Sequence, residues 1–368
     1  MFTLLESIWL GLLLFYFIYD FLLFFSILII RISPIYTNQF PLSVIIAAKN
    51  EAENLTENLP AILNQNYLEF EVIVVNDKSE DDTENTLKKL AKEHQNLRYL
   101  NVDSFYISSK KNAISKGIKA AKYEHLVFTD ADCKPLSKHW LENIQNYFSA
   151  QNPMVLGFSP YQKQQGFLNK LIQYETLQTA VNYYGFANLG MAYMGVGRNL
   201  AYTKKVYQKN NGFESHKHLL SGDDDLFVNQ VSEKYRLGLC LHPDSFVESR
   251  PEMSFISWVE QKRRHITTAP HYQLKHKLLL GFQYLTKILF WFLAIPLSLF
   301  LEYKSGFTMN YFLVVLILMT LKSIIAYQVY RKFQTDNLSI SSYIWELLLI
   351  CIQFYIFTIN IISPKKNW

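Results

Sequence analysis

The sequence predicts an α/β protein: a doubly wound, mixed but mostly parallel sheet flanked by membrane-spanning helices, one amino-terminal and about three carboxyl-terminal. Three observations carry this prediction. Apolar runs of bilayer-crossing length gather at the two ends of the chain. Between them, strand-length apolar runs alternate with helical patterns, the signature of parallel strands joined by crossover helices. Three of those runs end in polar or acidic groups, at the sheet edge where doubly wound folds bind ligands.

Composition agrees with a chain that lives in two solvents. Of its 368 residues, 50% are hydrophobic, 15% aromatic and 18% charged, against about 25% charged in average soluble domains. The expected division is an amino-terminal anchor over 1–33, a central domain over 34–277 and carboxyl-terminal spans over 278–368. From Leu4 to Ile30 the ionisable side chains besides tyrosine are Glu6 and Asp20. The run is too long for a secretory signal and has no basic segment before it. It reads as a retained anchor that leaves the membrane through Arg31 and Pro34. Leu278–Leu301, Phe307–Tyr330 and Tyr343–Ile362 also have spanning length. Lys287, Lys322 and Glu346 interrupt them, so each must face a helix partner, snorkel or line a site. The last span is diluted by Glu346 and Gln353, and a re-entrant or interfacial helix is its alternative. Arg31, Arg263, Arg264, Lys275, Lys277, Arg331 and Lys332 all fall on the side of the central domain, which places that domain in the cytoplasm. Lys365 and Lys366 disagree, since four spans would put them outside. The expectation is a multi-pass protein of the cell (inner) membrane. Cys133, Cys240 and Cys351 are scattered and suggest neither a disulfide framework nor a zinc site.

Within the central domain, Leu42–Ala48 is a continuous apolar run suited to a strand covered on both faces. It stops at Lys49-Asn50-Glu51, and a helical pattern follows from Ala52 to Leu63. A second strand, Phe70–Val75, ends in Asn76-Asp77-Lys78-Ser79. The next helix runs from about Asp81 to His94, with Ser79 or Glu80 near its cap. Leu97–Val102 is a third strand, and a helix over Ala113–Ala121 follows it.

The stretch from His125 to Cys133 reads as a buried strand delivering two carboxylates to its carboxyl edge. Alternate residues of an extended chain share a side, so Asp130 and Asp132 could grip one divalent cation. The bland alternative for each acidic strand end is a turn or a helix cap. The agreement of three such ends favours a nucleotide site. Neither G-x-G-x-x-G nor G-x-x-x-x-G-K-S/T occurs, so phosphates would need a metal and basic side chains instead of a glycine nest. Lys110 and Lys111 stand in the right part of the chain, although a solvated basic turn explains them equally.

Ser221-Gly222-Asp223-Asp224-Asp225-Leu226 sets three acids at the start of a helix expected over Leu226–Tyr235. One would suffice as a cap. Crowded carboxylates raise one another's pKa, which suits a general base. On a helix over Phe255–His265, Gln261, Arg264 and His265 share a face and could meet one ligand, or the helix could rest on anionic headgroups. Two aromatic stretches, Tyr174–Tyr184 and Met191–Met194, read either as interfacial helices or as core.

In order along the chain, PLSVIIAAKNEAE (41–53), VVNDKSEDDT (74–83), Lys110–Ala113, FTDAD (128–132), GDDDL (222–226) and QKRRH (261–265) resemble membrane-bound family 2 glycosyltransferases with the GT-A fold, of the ceramide glucosyltransferase and polysaccharide synthase type. The resemblance covers the whole central domain. It implies inverting, metal-dependent transfer of a sugar from a nucleotide-sugar donor, UDP-linked, to a lipid or lipid-linked acceptor. The implied donor-binding residues are Ala48, Asn50, Glu51, Asp77, Lys110, Asp130, Gln261, Arg264 and His265, with Asp77 at the base. Asp132 would ligate Mg or Mn on the diphosphate. Asp223, or Asp224 one step away, would deprotonate the acceptor; Asp223 matches the acid of the family's Glu-Asp-x-Asp-Leu pattern. Gln261 and Arg264 match a Gln-x-x-Arg-Trp motif, but His265 stands where Trp is usual, which removes an indole stacking surface. Gly222 replaces the usual Glu. Nucleic acid is not an expected partner. A processive polysaccharide synthase would share these motifs but needs a polymer conduit. A non-catalytic membrane scaffold would be expected to have lost acids that are all present here.

Overall fold

The computed structural model of the chain describes residues 3–32, 40–102, 109–219, 221–306, 310–339 and 341–363. It opens with α1 (Leu4–Leu28), whose first turn is closed by a reciprocal cap between Thr3 and Glu6. There follow β1 (Leu42–Ala48), α2 (Ala52–Leu63), β2 (Phe70–Asn76), α3 (Thr83–Glu93), β3 (Leu97–Asn101) and α4 (Lys110–Ala120). Next come β4 (His125–Phe128), β5 (Cys133–Pro135), α5 (Trp140–Gln145), β6 (Met154–Leu156), α6 (Phe167–Asn188) and β7 (Leu200–Thr203). The remainder is α7 (Lys204–Lys209), α8 (Asp225–Val231), β8 (Leu237–Leu239), β9 (Val247–Ser249) and α9 (Phe255–His265), then α10 (Leu274–Leu289), α11 (Ile295–Lys304), α12 (Tyr311–Lys332) and α13 (Ser342–Ile362). A π-helical turn joins α10 and α11 into one rod, Leu274–Lys304.

Seven strands form one sheet in the order β3-β2-β1-β4-β7-β6-β8. The pairs among β3, β2, β1 and β4 are parallel, β7 is antiparallel to both its neighbours, and β6 runs parallel to β8. This is the mixed, mostly parallel sheet expected. The apolar runs of β1 and β2 are continuous because both faces are covered: Ile45, Ile73 and Val75 pack with α4, while Val44, Ile46, Val72 and Val74 pack with α2 and α3. Each such buried Val or Ile contributes about 1.5–3 kcal/mol relative to exposure.

Register positions the crevice. Ala48 pairs with Asn76, and Asn76 with Asn101, so the loops after β1 and β2 leave on one edge. The β4 strand ends at Phe128, opposite Ile45, and so stops short of that edge. The antiparallel β7 begins opposite Phe128, so its lead-in enters the same notch.

Several expected boundaries move. The strand read through to Cys133 stops at Phe128, and the two acids sit in a turn closed by the Cys133 amide donating to the Asp130 carbonyl at 3.2 Å. Aspartate favours such turns. The helix expected from Ala113 begins at Lys110, because the Ser109 hydroxyl caps it by accepting from the Asn112 amide. The helix expected from Asp81 begins at Thr83 after Asp82, since Ser79 is engaged by the loop after β1. The helix expected over Leu226–Tyr235 covers Asp225–Val231.

The aromatic stretch from Tyr174 to Tyr184 is core. It lies within α6, where Tyr174, Tyr183 and Tyr184 are buried. The Tyr183 hydroxyl donates to the Gly157 carbonyl and that of Tyr184 to the Cys240 carbonyl, fixing α6 to the sheet. Its other side docks on α1: a Cβ on Gly185 would meet Leu23 at 2.8 Å, and Asn188 donates to the Ser26 carbonyl at 2.7 Å. Met191–Met194 is irregular, with Tyr193 buried and Met191 partly exposed.

Among the described residues, four helical segments are long and apolar enough to cross a membrane: α1, the α10–α11 rod, α12 and α13. At one end of the bundle Tyr311 bonds Glu6, and Glu302 accepts from the Phe312 amide at 2.9 Å. At the other, Lys332 caps the end of α1 by donating to the carbonyls of Ile27, Leu28 and Ile30. The interrupting charges face helix partners. Lys322 lies 2.5 Å from Asp20 and 3.1 Å from Glu346, and Glu346 also accepts from Tyr16 and Trp291 and lies 3.7 Å from Lys287. The course of α13 differs from that of the other three. Tyr343, near its start, donates to the Met319 carbonyl within α12, and its far end is held by Arg263 of α9, which donates to Asn360 at 2.8 Å and to the Ser363 carbonyl at 2.6 Å. Pro34, Lys365 and Lys366 lie outside the described residues.

Candidate active site

The loops after β1 and β2 brace each other. Asn50 and Lys78 both take positive φ, 58° and 56°, a conformation that costs non-glycine residues energy and recurs at functional sites. The Asn50 amide donates to the Ser79 hydroxyl at 2.9 Å, and its side chain accepts from the Glu80 amide at 2.8 Å. The Glu51 amide donates to Thr83 and the Ala52 amide to Asp81. Asp77 is buried beside this brace, and its amide donates to the Ala48 carbonyl at 2.8 Å. Glu51 belongs to the acidic group at this edge: burial raises its pKa, and Asp132 and Asp130 add to the rise against a hydrogen bond from Asn54.

Asp130, Asp132 and Cys133 offer ligand atoms within 4.8 Å of one another. The Cys133 thiol, pushed well up by burial and then by Asp132, stays protonated and donates to Asp132 at 3.3 Å. Burial, followed by Asp130, also raises the pKa of Asp132. Two half-buried carboxylates with open positions are the oxygen donor set of a hard divalent cation that keeps other sites for phosphate oxygens, and the residues present fit Mg or Mn.

Lys110, in the first turn of α4, lies 2.7 Å from Asp130 and 3.4 Å from Asp223. Burial pulls its pKa down, but Asp130, Asp223 and Asp224 outweigh that and hold it above its usual value. Lys111 does not share the task. It turns inward, donates to the carbonyls of His216 and Leu219, and has its pKa lowered by burial.

The three consecutive acids divide. Asp223 and Asp224 line the notch with Lys110, Asp130 and Gly197. Asp224 accepts from the Gly197 amide and the Asp225 amide, both at 2.7 Å, and burial, then Asp223 and Asp225, raise its pKa to about 7. A Cβ on Gly197 would meet the Asp224 carboxylate at 3.2 Å, so the backbone approaches closely there. Asp225 turns away: Thr268 donates to it at 2.5 Å and Tyr272 at 2.8 Å, tying α8 to the segment after α9.

One cation of the site went unread in the sequence. Arg198 lies over the Tyr161 ring at 4.3 Å, donates to Ser249 at 2.5 Å, and is held charged beside Tyr161, Cys133, Asp132 and Asp130 against the cost of burial. Its neighbour Asn199 is a buried hub, accepting from Trp140 and donating to the carbonyls of Phe158 and Ser245. A lone Arg after Gly195-Val196-Gly197 carries no periodic signal. Tyr161 also donates to Gln261 of α9 at 3.5 Å, so α9 meets the site through Gln261. Arg264 is half-buried and His265 exposed, while Lys262 pairs with Glu175 of α6 at 2.5 Å.

The mixed, mostly parallel sheet is of the GT-A kind, and at one edge its acids converge with a shared lysine and a flanking arginine. Sequence comparison agrees: the family described as "Glycosyl transferase family 2" matches residues 43–208, and "Glycosyl transferase family group 2" matches 127–357. The chain belongs to glycosyl transferase family group 2. Among curated relatives, it is 35% identical over 91 residues to poly-beta-1,6-N-acetyl-D-glucosamine synthase of Staphylococcus epidermidis, a stretch covering 25% of this chain and 21% of that protein. It is 30% identical over 198 residues to glycosyltransferase AglE of Haloferax volcanii, covering 52% of this chain and 61% of that one. The matched stretch is thus about a fifth of the synthase and under two thirds of the archaeal protein. Among solved structures, the mannosyltransferase PcManGT of Pyrobaculum calidifontis, in complex with GDP-Man and Mn2+, aligns with TM-score 0.55 at 20% identity, covering 94% of this chain and 99% of that one.

Proposed function

We propose that the protein transfers one sugar, with inversion, from a nucleotide-sugar to a lipid or lipid-linked acceptor at the cytoplasmic face of the cell membrane. One observation carries the reading: a single ammonium, Lys110, joins the Asp130–Asp132 pair to Asp223. Acids far apart in sequence thereby face one small notch. Asp77, Asn50 and Glu51 frame the nucleotide end, with Asn50 acting through the loop brace. Asp130 and Asp132 would hold Mg or Mn, which when bound offsets charge on the departing diphosphate. Lys110 and Arg198 share that task, and Gln261 and Arg264 complete it from α9. Asp223 removes the acceptor proton, with Asp224 one step away sharing the proton load.

Basic residues at the domain side of α1 and α12 support this orientation. Since α13 starts beside the middle of α12 and ends on α9, we read α1, α10–α11 and α12 as the spans and α13 as re-entrant or interfacial, within a division of anchor, central domain and carboxyl-terminal helices at about 33 and 278.

The test is product analysis. Membranes carrying the protein, given labelled nucleotide-sugars and Mn, should move label into the organic-extractable fraction as single-sugar products. A ladder of polymer lengths would instead support a processive synthase.

A further inference from the structure

Where α6, α10 and α13 meet, they line a cavity of about 180 Å³. Two of the three, α10 and α13, have membrane-spanning composition, yet the wall is polar. It carries Gln178, Thr179 and Asn182 from α6, Gln283 and Lys287 from α10, and Gln353 from α13. Polar side chains among such helices are costly and mark sites.

The chemistry of the wall restricts the occupant. Each charge on it already has an opposite partner: Lys287 lies 3.7 Å from Glu346, and Glu175 lies 2.5 Å from Lys262. The wall therefore offers no spare positive charge for a phosphate. What it offers is carboxamides and a hydroxyl, groups that both donate and accept. Gln283 donates to Asn182 at 2.8 Å and Gln178 to the Tyr330 hydroxyl at 3.0 Å, which leaves most of the capacity of each carboxamide for a ligand. A sugar or glycerol hydroxyl has the same dual character. Exposed Phe282, Leu285, Phe354 and Phe357 on α10 and α13 supply apolar surface for acyl chains. The Glu175–Lys262 pair couples the wall to α9, whose Gln261 meets Tyr161 beside Arg198.

We propose that this cavity binds the neutral, hydroxyl-bearing headgroup of a membrane glycolipid, the class from which the acceptor is drawn. The assignment rests on the lipid-acceptor reading above and narrows it to uncharged headgroups.

The test uses the full chain in lipid nanodiscs with three photo-activatable lipids carrying the same diazirine acyl chain: glucosyl diacylglycerol, phosphatidylcholine and phosphatidylglycerol. The glucosyl lipid should label peptides spanning 280–287 and 346–357 in preference to both phospholipids. Gln353→Leu should lower that labelling about fivefold, as loss of one hydrogen bond of about 1 kcal/mol implies. Gln283→Leu should do likewise. Because Gln283 also holds Asn182, Gln353→Leu decides alone if Gln283→Leu reduces folding. Stabilisation by a nucleotide-sugar with Mn, read on the same samples, should be unchanged in both variants, so a failed headgroup site is told apart from a failed transferase. Equal labelling by all three lipids, preference for phosphatidylglycerol, or labelling unmoved by Gln353→Leu would overturn the assignment.

Discussion

The Lys110 ammonium stands 2.7 Å from the Asp130 carboxylate, in the first turn of a helix capped by Ser109. That contact links the acids after β4 to Asp223, which lies 3.4 Å from the same ammonium. Lys110→Met should therefore reduce transfer by about 10²–10³-fold, the loss seen when one preorganised donor is removed. Its thermal midpoint should fall as well, because Asp130 and Asp223 lose the ammonium that offsets their charge. Initial rates and melting curves on one preparation check both.

Asp224 sets an expectation for pH. Its carboxyl is raised to about 7 by burial and by Asp223 and Asp225, so the fold disfavours its charged form. A carboxyl whose folded pKa lies above its unfolded value destabilises the fold as pH rises from the unfolded value, near 3.8, to about 7, and by a constant amount above that. Unfolding midpoints from pH 4 to 8 should show this decline, and Asp224→Asn should flatten it. In the same range kcat/KM should climb as the acid cluster loses its proton. An ascending limb near 7 in wild type that moves lower in Asp224→Asn would agree; identical limbs would show that another group titrates.

Asp225 has a different job from its two neighbours. Asp225→Ala leaves the buried Thr268 hydroxyl and the Tyr272 hydroxyl without their acceptor and should destabilise by about 2–4 kcal/mol. Asp223→Asn should leave stability near wild type and abolish transfer. Denaturant midpoints set beside rates separate the two roles.

Inside the bundle, Lys322 sits between Asp20 and Glu346. Lys322→Met strands two carboxylates and should cost about 3–5 kcal/mol. Adding Asp20→Asn and Glu346→Gln should recover most of that loss. Melting of the single and triple variants in one detergent provides the comparison.

The parallel half of the sheet was legible in the sequence because Leu42–Ala48 and Phe70–Val75 are apolar without interruption, as burial on both faces demands. The pair β5–β9 was not, since Cys133-Lys134-Pro135 and Val247-Glu248-Ser249 are too short and mixed for any period to show. The convergence of Asp130, Asp132 and Asp223 was anticipated from motif order, while the local geometry was not: a turn, not an extended strand, brings the two acids after β4 together. Lys111 looked equivalent to Lys110, but one residue along a helix turns a side chain by about 100°, here toward the carbonyls of His216 and Leu219. Arg198 stayed invisible because its position follows from the buried Asn199 hub, a long-range packing fact. The aromatic run of α6 could not be assigned from sequence, since a helix buried on several sides and one lying in a membrane interface have the same composition.

The central claim is that the converging acids form one cation-dependent donor pocket, and ligand-linked stability tests it most directly. Thermal midpoints of the purified protein should be measured against a panel of nucleotide-sugars, with and without Mn, for wild type and Asp132→Asn. A ligand at about 100 times its Kd stabilises by about 2.7 kcal/mol. One nucleotide-sugar should raise the wild-type midpoint with Mn, do little without it, and leave Asp132→Asn unmoved. Equal stabilisation with and without Mn, or an undiminished shift in Asp132→Asn, would contradict the account.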